Sequence, residues 1–584
     1  MDMQKFDIVI RNGLIVDGTG TAPYPADIGI VADTIAAVGP GLDRGVTEID
    51  ASGMIVTPGF VDIHTHYDGQ VTWDHHLRPS TAHGVTTVLM GNCGVGFAPC
   101  RPHQRDMLVR LMEGVEDIPN PVLTEGLPWT WESFPEYLDS IASRRFDADV
   151  AALIPHAALR VYVMGERGEA REAATAEDRA KMAALVREGV AAGALGIGTS
   201  RTMFHRSIDG HLIPTLQAEE AELQALADAM TQAGGGTFQF VSDFADEDAE
   251  FDMMLRIAKR SGRPITFPAA GTPTDPSRSH LLGRVREANK AGHHFRVQVL
   301  GRATGAIMGH QLTLHPFCTS PTYRSLASLP FEEKLAELHR PEIKAAILAD
   351  PLTPDPGNAL TNFVHQFDRI FPLADIPDYE PSLDDSIAAR AKALGISPAS
   401  YAYDLLLERG GKRQLYITIS NYAEGNLDGT GEILMHPDAV MGLGDGGAHY
   451  GAICDASYST YLLTHWVRDR QRGRVPLERA IKAMTGDTAA LVGLHDRGIL
   501  APGYRADINV IDMDRLCLHA PEVVFDLPAN GRRLMQRADG YHVTMLAGQL
   551  VSREGEATGA LPGKLVRGAR SRPAVLAAEV GGLA

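Results

Sequence analysis

Thr57-Pro58-Gly59-Phe60-Val61-Asp62-Ile63-His64-Thr65-His66-Tyr67-Asp68 is the stretch on which the fold turns. A Pro-Gly break precedes an apolar run, and two histidines fall where that run should end. Side chains alternate along a strand, so His64 and His66 point to one face. An inward-facing pair at a strand's C-terminal end can grip one metal ion. The His-x-His pair alone is a weak signal, because two histidines so spaced are more often incidental, partly buried imidazoles.

Upstream of this stretch the residues read as short strands. Asp7 to Ile10 and Leu14 to Val16 flank Asn12-Gly13, which supplies the positive φ angles of a tight hairpin turn. A second pair runs over Ile28 to Val31 and Thr34 to Val38. Similar strands return near the other end, at Ala506 to Ile511, Val543 to Leu546 and Gln549 to Val551, so the two ends are expected to share one small β-sandwich made of residues 1–57 and 498–558.

Between the ends, short apolar runs alternate with helical stretches, the pattern of parallel strands joined by crossover helices. Nine strands are candidates: Phe60 to His66, Thr86 to Cys93, Val150 to His156, Leu195 to Ser200, Thr237 to Ser242, Ile265 to Ala270, Phe295 to Leu300, Leu415 to Ser420 and Ala439 to Asp445. Helices are expected over Ala176 to Ala192 and Glu219 to Ala233, the second stopping at Gly234-Gly235-Gly236. An α/β fold follows, a TIM-like (β/α)8 barrel over residues 58–497. Eight places for nine candidates leave one strand outside. From about 315 to 412 the rhythm lapses into a charge-rich, largely helical stretch, read as an insertion over the mouth. Residues 559–584, rich in Ala, Gly and Arg, form a tail.

With 584 residues, 44% of them hydrophobic and 22% charged, the chain has the composition of an ordinary soluble protein. No apolar run is long enough to span a bilayer, and the first residues carry acids in place of a basic flank and an apolar core. A net charge of −19 argues against nucleic acid or anionic membrane as partner. Five scattered cysteines suit a reducing cytosol, so a cytoplasmic location is expected.

A third segment of interest is Gly442-Leu443-Gly444-Asp445-Gly446-Gly447-Ala448-His449, with an aspartate at the end of the last candidate strand. Alone it would pass for a turn aspartate among glycines. The lead Pro58-Gly59-Phe60-Val61-Asp62 before His64-Thr65-His66 resembles the first barrel strand of the amidohydrolase superfamily. Gly498-Ile499-Leu500-Ala501-Pro502-Gly503-Tyr504-Arg505-Ala506-Asp507-Ile508-Asn509-Val510-Ile511 is similar to that superfamily's return into its sandwich. The resemblance brackets nearly the whole chain. It implies that Asp445 ligates the metal and shuttles the proton, because the last strand of an eight-stranded barrel closes beside the first.

Val85-Thr86-Thr87-Val88-Leu89-Met90-Gly91-Asn92-Cys93-Gly94-Val95-Gly96-Phe97-Ala98-Pro99 resembles the N-acyl-D-amino-acid deacylases of that superfamily, and implies that Cys93 is a metal ligand. A small buried thiol is the usual fate of a lone cysteine, whereas a thiolate binds zinc strongly. Ala151 to Arg160 also resembles a deacylase segment, which makes His156 a pocket candidate beside the alternative of a structural histidine. The chain departs from the family after the next strands. Gly235 to Asp243 and Pro264 to Ala270 lack the expected histidines and the lysine. Either one metal is bound, or a second is held weakly through Cys93 and oxygen ligands such as Asp243. Arg201 and His205, past another strand, are candidates to meet a substrate carboxylate.

The implied activity is metal-dependent hydrolysis of a C–N amide bond in a small N-acyl amino acid, with Zn2+ as cofactor, one or two ions. A cation held by His64, His66 and Asp445 lowers the pKa of bound water from about 15.7 towards roughly 7. Asp445 is the expected base, and His449 or Tyr67 the donor to the oxyanion. A homo-oligomer is expected. A cyclic-amide hydrolase of the hydantoinase or dihydroorotase kind is the enzymatic alternative, disfavoured by the absence of a lysine at a strand end. A non-catalytic scaffold is the alternative of another class.

Overall fold

The computed structural model describes residues 6–269, 277–351, 353–356, 358–422 and 424–573. The expected strand end at Ala270, residues 1–5 and the tail beyond 573 lie outside the described residues.

Eight parallel strands carry the middle of the chain: β1 (Phe60–Asp62), β2 (Val85–Met90), β3 (Asp149–Ala152, resumed as Ile154–Pro155), β4 (Gly196–Arg201), β5 (Thr237–Ser242), β6 (Ile265–Pro268), β7 (Phe295–Val299) and β8 (Ala439–Met441). Each pairs in parallel with the next. Just past β1, Thr65 forms a parallel bridge to Gly446, just past β8, so the pairings run round and return to their start. Strands covered on both faces are mostly apolar; every residue of Val85–Met90 and Asp149–Ala152 is buried, with Thr86, Thr87 and Asp149 the polar exceptions. Crossover helices fit the expected signals. Ala176–Ala192 opens on a capping box between Thr175 and Asp178 and stops at Gly193.

The ninth candidate is the one outside. Leu415–Ser420 pairs antiparallel with Thr304–Met308 and Ile370–Pro372 in a separate three-stranded sheet. Its apolar run packs into a second core of Ala306, Met308, Phe317, Tyr403, Leu415 and Ile417. The stretch expected to be largely helical over 315–412 therefore folds around a small sheet, two of whose strands lie just outside it. An apolar run of six residues cannot tell one core from another.

Both chain ends enter one nine-stranded sheet, in which Ile55–Pro58 pairs antiparallel with Ile508–Ile511. The hairpin expected at Asn12-Gly13 is a bulge within one continuous strand, Phe6–Ile15. Asn12 has φ 59°, and its N–H donates to Asp27 Oδ1 at 2.9 Å. Gly13 is needed for close approach: a Cβ there would sit 2.4 Å from Val56 Cγ2. The described part of the tail docks on the ring, where Leu565 forms a parallel bridge to Val150. No described helix is long and apolar enough to cross a membrane.

A buried charge cluster joins ring to sheet. Arg497 donates to Asp149 Oδ2 at 2.8 Å and Thr87 Oγ1 at 3.0 Å, and Arg505 pairs with Asp507 at 3.0 Å. His83 ties further parts together, its Nδ1 against Thr460 Oγ1 at 2.8 Å and its Nε2 against the Gln536 carbonyl at 3.0 Å.

Arg497→Met, which leaves Asp149 with Arg505 at 3.0 Å as its remaining cation, is expected to cost about 1–3 kcal/mol of stability; an unchanged urea transition would contradict this role. Burial pushes His83 down to about 4, so between pH 6.5 and 4 the unfolded chain takes up a proton that the folded chain refuses. Stability contributed by His83 is thus complete above pH 6.5 and falls by about 1.4 kcal/mol per unit on acidification through that window. Urea midpoints measured from pH 7 to 4 should fall less steeply in His83→Gln than in the wild type.

Candidate metal centre

His64 and His66 extend β1 past its last paired residue, and both rings are buried. Cys93 follows β2 on a short turn, and Asp445 follows β8. Cys93 Sγ lies 3.3 Å from His64 Nε2 and 3.8 Å from His66 Nε2, while Asp445 Oδ1 lies 3.5 Å from each Nε2. A tetrahedral zinc ion with bonds of about 2.0–2.3 Å holds its ligand atoms about 3.3–3.7 Å apart. The spacings of Cys93 and of Asp445 from the two imidazoles are close to that size, and the donor atoms of His64, His66 and Cys93 all lie within 4.8 Å of one another.

The backs of the ligands are tied. Gln298 Oε1, from β7, accepts from His64 Nδ1–H at 2.6 Å, which leaves the Nε2 lone pair facing the centre. Glu116 Oε1 lies 3.4 Å behind His66 Nδ1 without a hydrogen bond to it. Gln239, from β5, accepts the Cys93 N–H at 3.0 Å. Gly91, at φ +84°, lets the Cys93 turn press on β3, because a Cβ would come within 2.3 Å of the Leu153 carbonyl oxygen. Cys93, Leu443, Asp445 and His449 all have positive φ, between 46° and 61°. Such backbone persists only where the surroundings enforce it, and it gathers at functional sites.

The electrostatics suit a cation. Burial pushes His64 and His66 below their ordinary value, so they are neutral donors. Burial works to raise Asp445, but its closeness to His66, His64 and His449 outweighs it and holds the carboxylate below its ordinary range. Burial, then the charges of Glu116, Asp445 and Asp68, pushes the Cys93 thiol well up, which a bound cation would reverse. Burial raises Glu116 as well, and lifts Asp62 to about 8 and Asp68 to about 7. His66 Nδ1, Glu116 Oε1 and Asp62 Oδ2 are buried without a hydrogen-bond partner. A nest of buried acids and imidazoles lacking only positive charge fits a divalent ion.

Of the other expected site residues, two face this centre. His205 has Nδ1 at 2.9 Å from Ser200 Oγ and feels the charges of His449, His66, Asp445 and His64. His449 Nε2 lies 3.4 Å from Glu116 Oε2. Four do not serve as expected. The Tyr67 hydroxyl donates to the Leu77 carbonyl at 2.8 Å and meets Ser80, so it cannot reach an oxyanion. His156 spends both ring nitrogens, on Thr199 and on Glu222, each at 2.8 Å, and is structural. Arg201 is clamped by Glu250 at 2.6 Å and by the Ala218 carbonyl. Asp243 accepts from Thr202 and from the Met203 N–H at 2.7 Å, so it braces its own loop. Sequence reasoning missed Glu116, Gln239 and Gln298. Glu116 had a signal, since it ends the helix Arg105–Glu116 on the face of Met112 and Val115; the two glutamines had none.

Residues 47–552 match the Amidohydrolase family. The chain is 27% identical to the D-aminoacylase of Alcaligenes xylosoxydans xylosoxydans over 97% of its own length and 98% of the other. It is 26% identical to the N-acyl-D-aspartate deacylase of the same organism, over 96% and 95%. The solved structure of an N-acyl-D-glutamate deacylase from Bordetella bronchiseptica, complexed with zinc and a phosphonate inhibitor, superposes with a TM-score of 0.64 at 23% identity, covering 97% and 100% of the two chains.

Gln298→Leu should weaken zinc affinity about 10–100-fold, the usual effect of removing a group that orients a ligand. Competition with a chelator reads this out; equal affinity in both proteins would remove Gln298 from the site.

Proposed function

The chain belongs to the amidohydrolase family, and from that premise we propose that it deacylates N-acyl-D-amino acids at one zinc ion held by His64, His66, Cys93 and Asp445. The donor atoms of His64, His66 and Cys93, all within 4.8 Å of one another, with Asp445 Oδ1 at 3.5 Å from both imidazoles, carry the reading. The names of the two relatives matched over nearly the whole chain support the substrate class. Eight strands paired in a ring support a (β/α)8 barrel over residues 58–497 with an insertion at about 315–412, and the shared terminal sheet supports a composite β-sandwich of 1–57 and 498–558, with 559–584 as a tail. Five free thiols among the described residues fit a cytoplasmic protein.

One ion rather than two is the reading because Gln239, Thr266 and Gln298 occupy β5, β6 and β7 where further imidazoles would be needed. No strand of the ring contains lysine, which disfavours a cyclic-amide hydrolase.

When bound, the zinc ion acidifies water and polarises the amide carbonyl. Asp445, ionised at neutral pH, takes the proton of the attacking water and returns it to the departing amine. With Ser200 donating to its Nδ1, His205 carries its hydrogen on Nε2 and is the donor assigned to the oxyanion of the tetrahedral adduct. Gln298 holds the His64 imidazole in the tautomer that leaves its Nε2 lone pair inward, and Glu116 stands behind His66.

Asp445→Asn is expected to lose on the order of 10²–10⁴-fold in kcat while keeping its fold and its zinc through His64, His66 and Cys93. The assay is zinc-supplemented hydrolysis over paired N-acetyl-D- and N-acetyl-L-amino acids. Near-normal turnover by the variant would sink the assignment of the base, and silence across the whole panel would sink the deacylase reading.

A further inference from the structure

Beside the insertion's small sheet lies a polar cluster that deacylation at zinc leaves unused. His310 stacks on Tyr323 at 5.7 Å between ring centroids, and His315 packs against the same tyrosine at 4.2 Å. Lys334, on the helix Phe331–Leu338, sets its ammonium 5.5 Å from the Tyr323 centroid and donates to the His310 carbonyl at 3.4 Å. Arg532, on the strand Gly531–Met535, reaches the group from the far end of the chain, and its charge acts on His315, Tyr323 and Lys334.

Neither cation has an acid at ion-pairing distance among the described residues. Asp117 faces Arg532, but its carboxylate already accepts from Thr313 Oγ1 at 3.0 Å and from the Gly451 N–H at 3.1 Å. Burial pushes both Lys334 and Arg532 below their ordinary values, and Arg532 adds to the depression of Lys334. A chain with 73 acids and 54 lysines and arginines has carboxylates to spare. The Tyr323 and Phe331 rings and the charge of Asp117 offset part of the cost of holding two cations together, and an anion from outside the chain would recover more of it.

His310 supplies a second, independent pointer. Its ring is 3% exposed, Nδ1 meets the Tyr323 hydroxyl at 3.1 Å, and Nε2 is buried with no partner. Burial keeps the ring neutral. With Tyr323 donating to Nδ1, Nε2 carries a hydrogen that nothing accepts, and buried polar groups are rarely left so.

We propose that Lys334, Arg532 and His310 form a carboxylate-binding pocket and that, resting on the deacylase reading, it receives the second carboxylate of an acidic N-acyl-D-amino acid. Two short stretches of chain tie Asp117, which faces Arg532, to the metal centre. Asp117 follows Glu116, whose carboxylate faces His66 and His449, and the Gly451 N–H that it accepts lies two residues past His449. A planar guanidinium, an ammonium and one N–H suit a carboxylate better than a neutral side chain. The insertion would thereby set which substrates are accepted.

Two arms test this on the zinc-loaded full chain. In the first, kcat/KM is measured for N-acetyl-D-glutamate and N-acetyl-D-leucine; the ratio of the two should fall by about tenfold or more in Lys334→Gln and Arg532→Gln, the loss of roughly one charge-assisted hydrogen bond. In the second, sodium succinate is titrated against sodium chloride at matched ionic strength while thermal melting is followed; a saturable rise in the wild type, absent in Lys334→Gln/Arg532→Gln, identifies a pocket that takes free carboxylate. A fallen ratio without a succinate effect assigns the pocket to substrate alone. Should no amide be hydrolysed, the deacylase reading fails while the succinate arm still decides the pocket. If Arg532→Gln misfolds, Lys334→Arg and Arg532→Lys, which keep the charge, should preserve whichever signal the wild type gives. An unchanged ratio together with coincident succinate curves for wild type and variants would overturn the proposal.

Discussion

Three buried lone pairs and a carboxylate cannot be packed around one point without something to oppose their mutual repulsion. That constraint shapes the site far beyond its donors. His64 is held from behind by Gln298, Glu116 stands behind His66, and the turn carrying Cys93 is pinned by the Gln239 amide. Positive φ at Cys93, Asp445 and His449 aims chain ends that would otherwise relax away. The positive φ angles cost energy that the surrounding hydrogen bonds and packing must offset. A divalent cation turns the repulsion into attraction, so the binding of metal and the ordering of the mouth are coupled.

Neutral amides line the inner wall behind the centre. Glutamines on β5 and β7 and a threonine on β6 bond to one another or to ligand backs. An amide is too weak a donor to trap a second zinc, yet it fixes a tautomer as well as a carboxylate does.

Much of this was legible from residues alone, and the misses have physical causes. Pro58-Gly59 followed by an apolar run and His64-Thr65-His66 located the first strand, because a period of two is hard to mistake. Helix limits at Ala176–Ala192 followed from capping chemistry. Leu415–Ser420 was ambiguous, since a short buried run reads alike in any sheet. Asn12-Gly13 favours a hairpin locally, but close packing on Val56 and a hydrogen bond to Asp27 make a bulge of it. Tyr67, His156 and Arg201 sat at plausible positions and were spent on partners distant in sequence, such as Ser80, Glu222 and Glu250. The roles of Gln239 and Gln298 depend wholly on which strands become neighbours, which no local pattern encodes.

The pairing of Ile55–Pro58 with Ile508–Ile511 has a bearing on how the protein is made. The first of these strands leaves the ribosome roughly 450 residues before its partner, at about 5–20 residues per second. For tens of seconds the nascent chain presents an unpaired apolar edge that nothing yet synthesised can cover. Biogenesis therefore calls for a holding factor, or for slow and late closure of the terminal sheet, whatever the speed at which the central strands assemble.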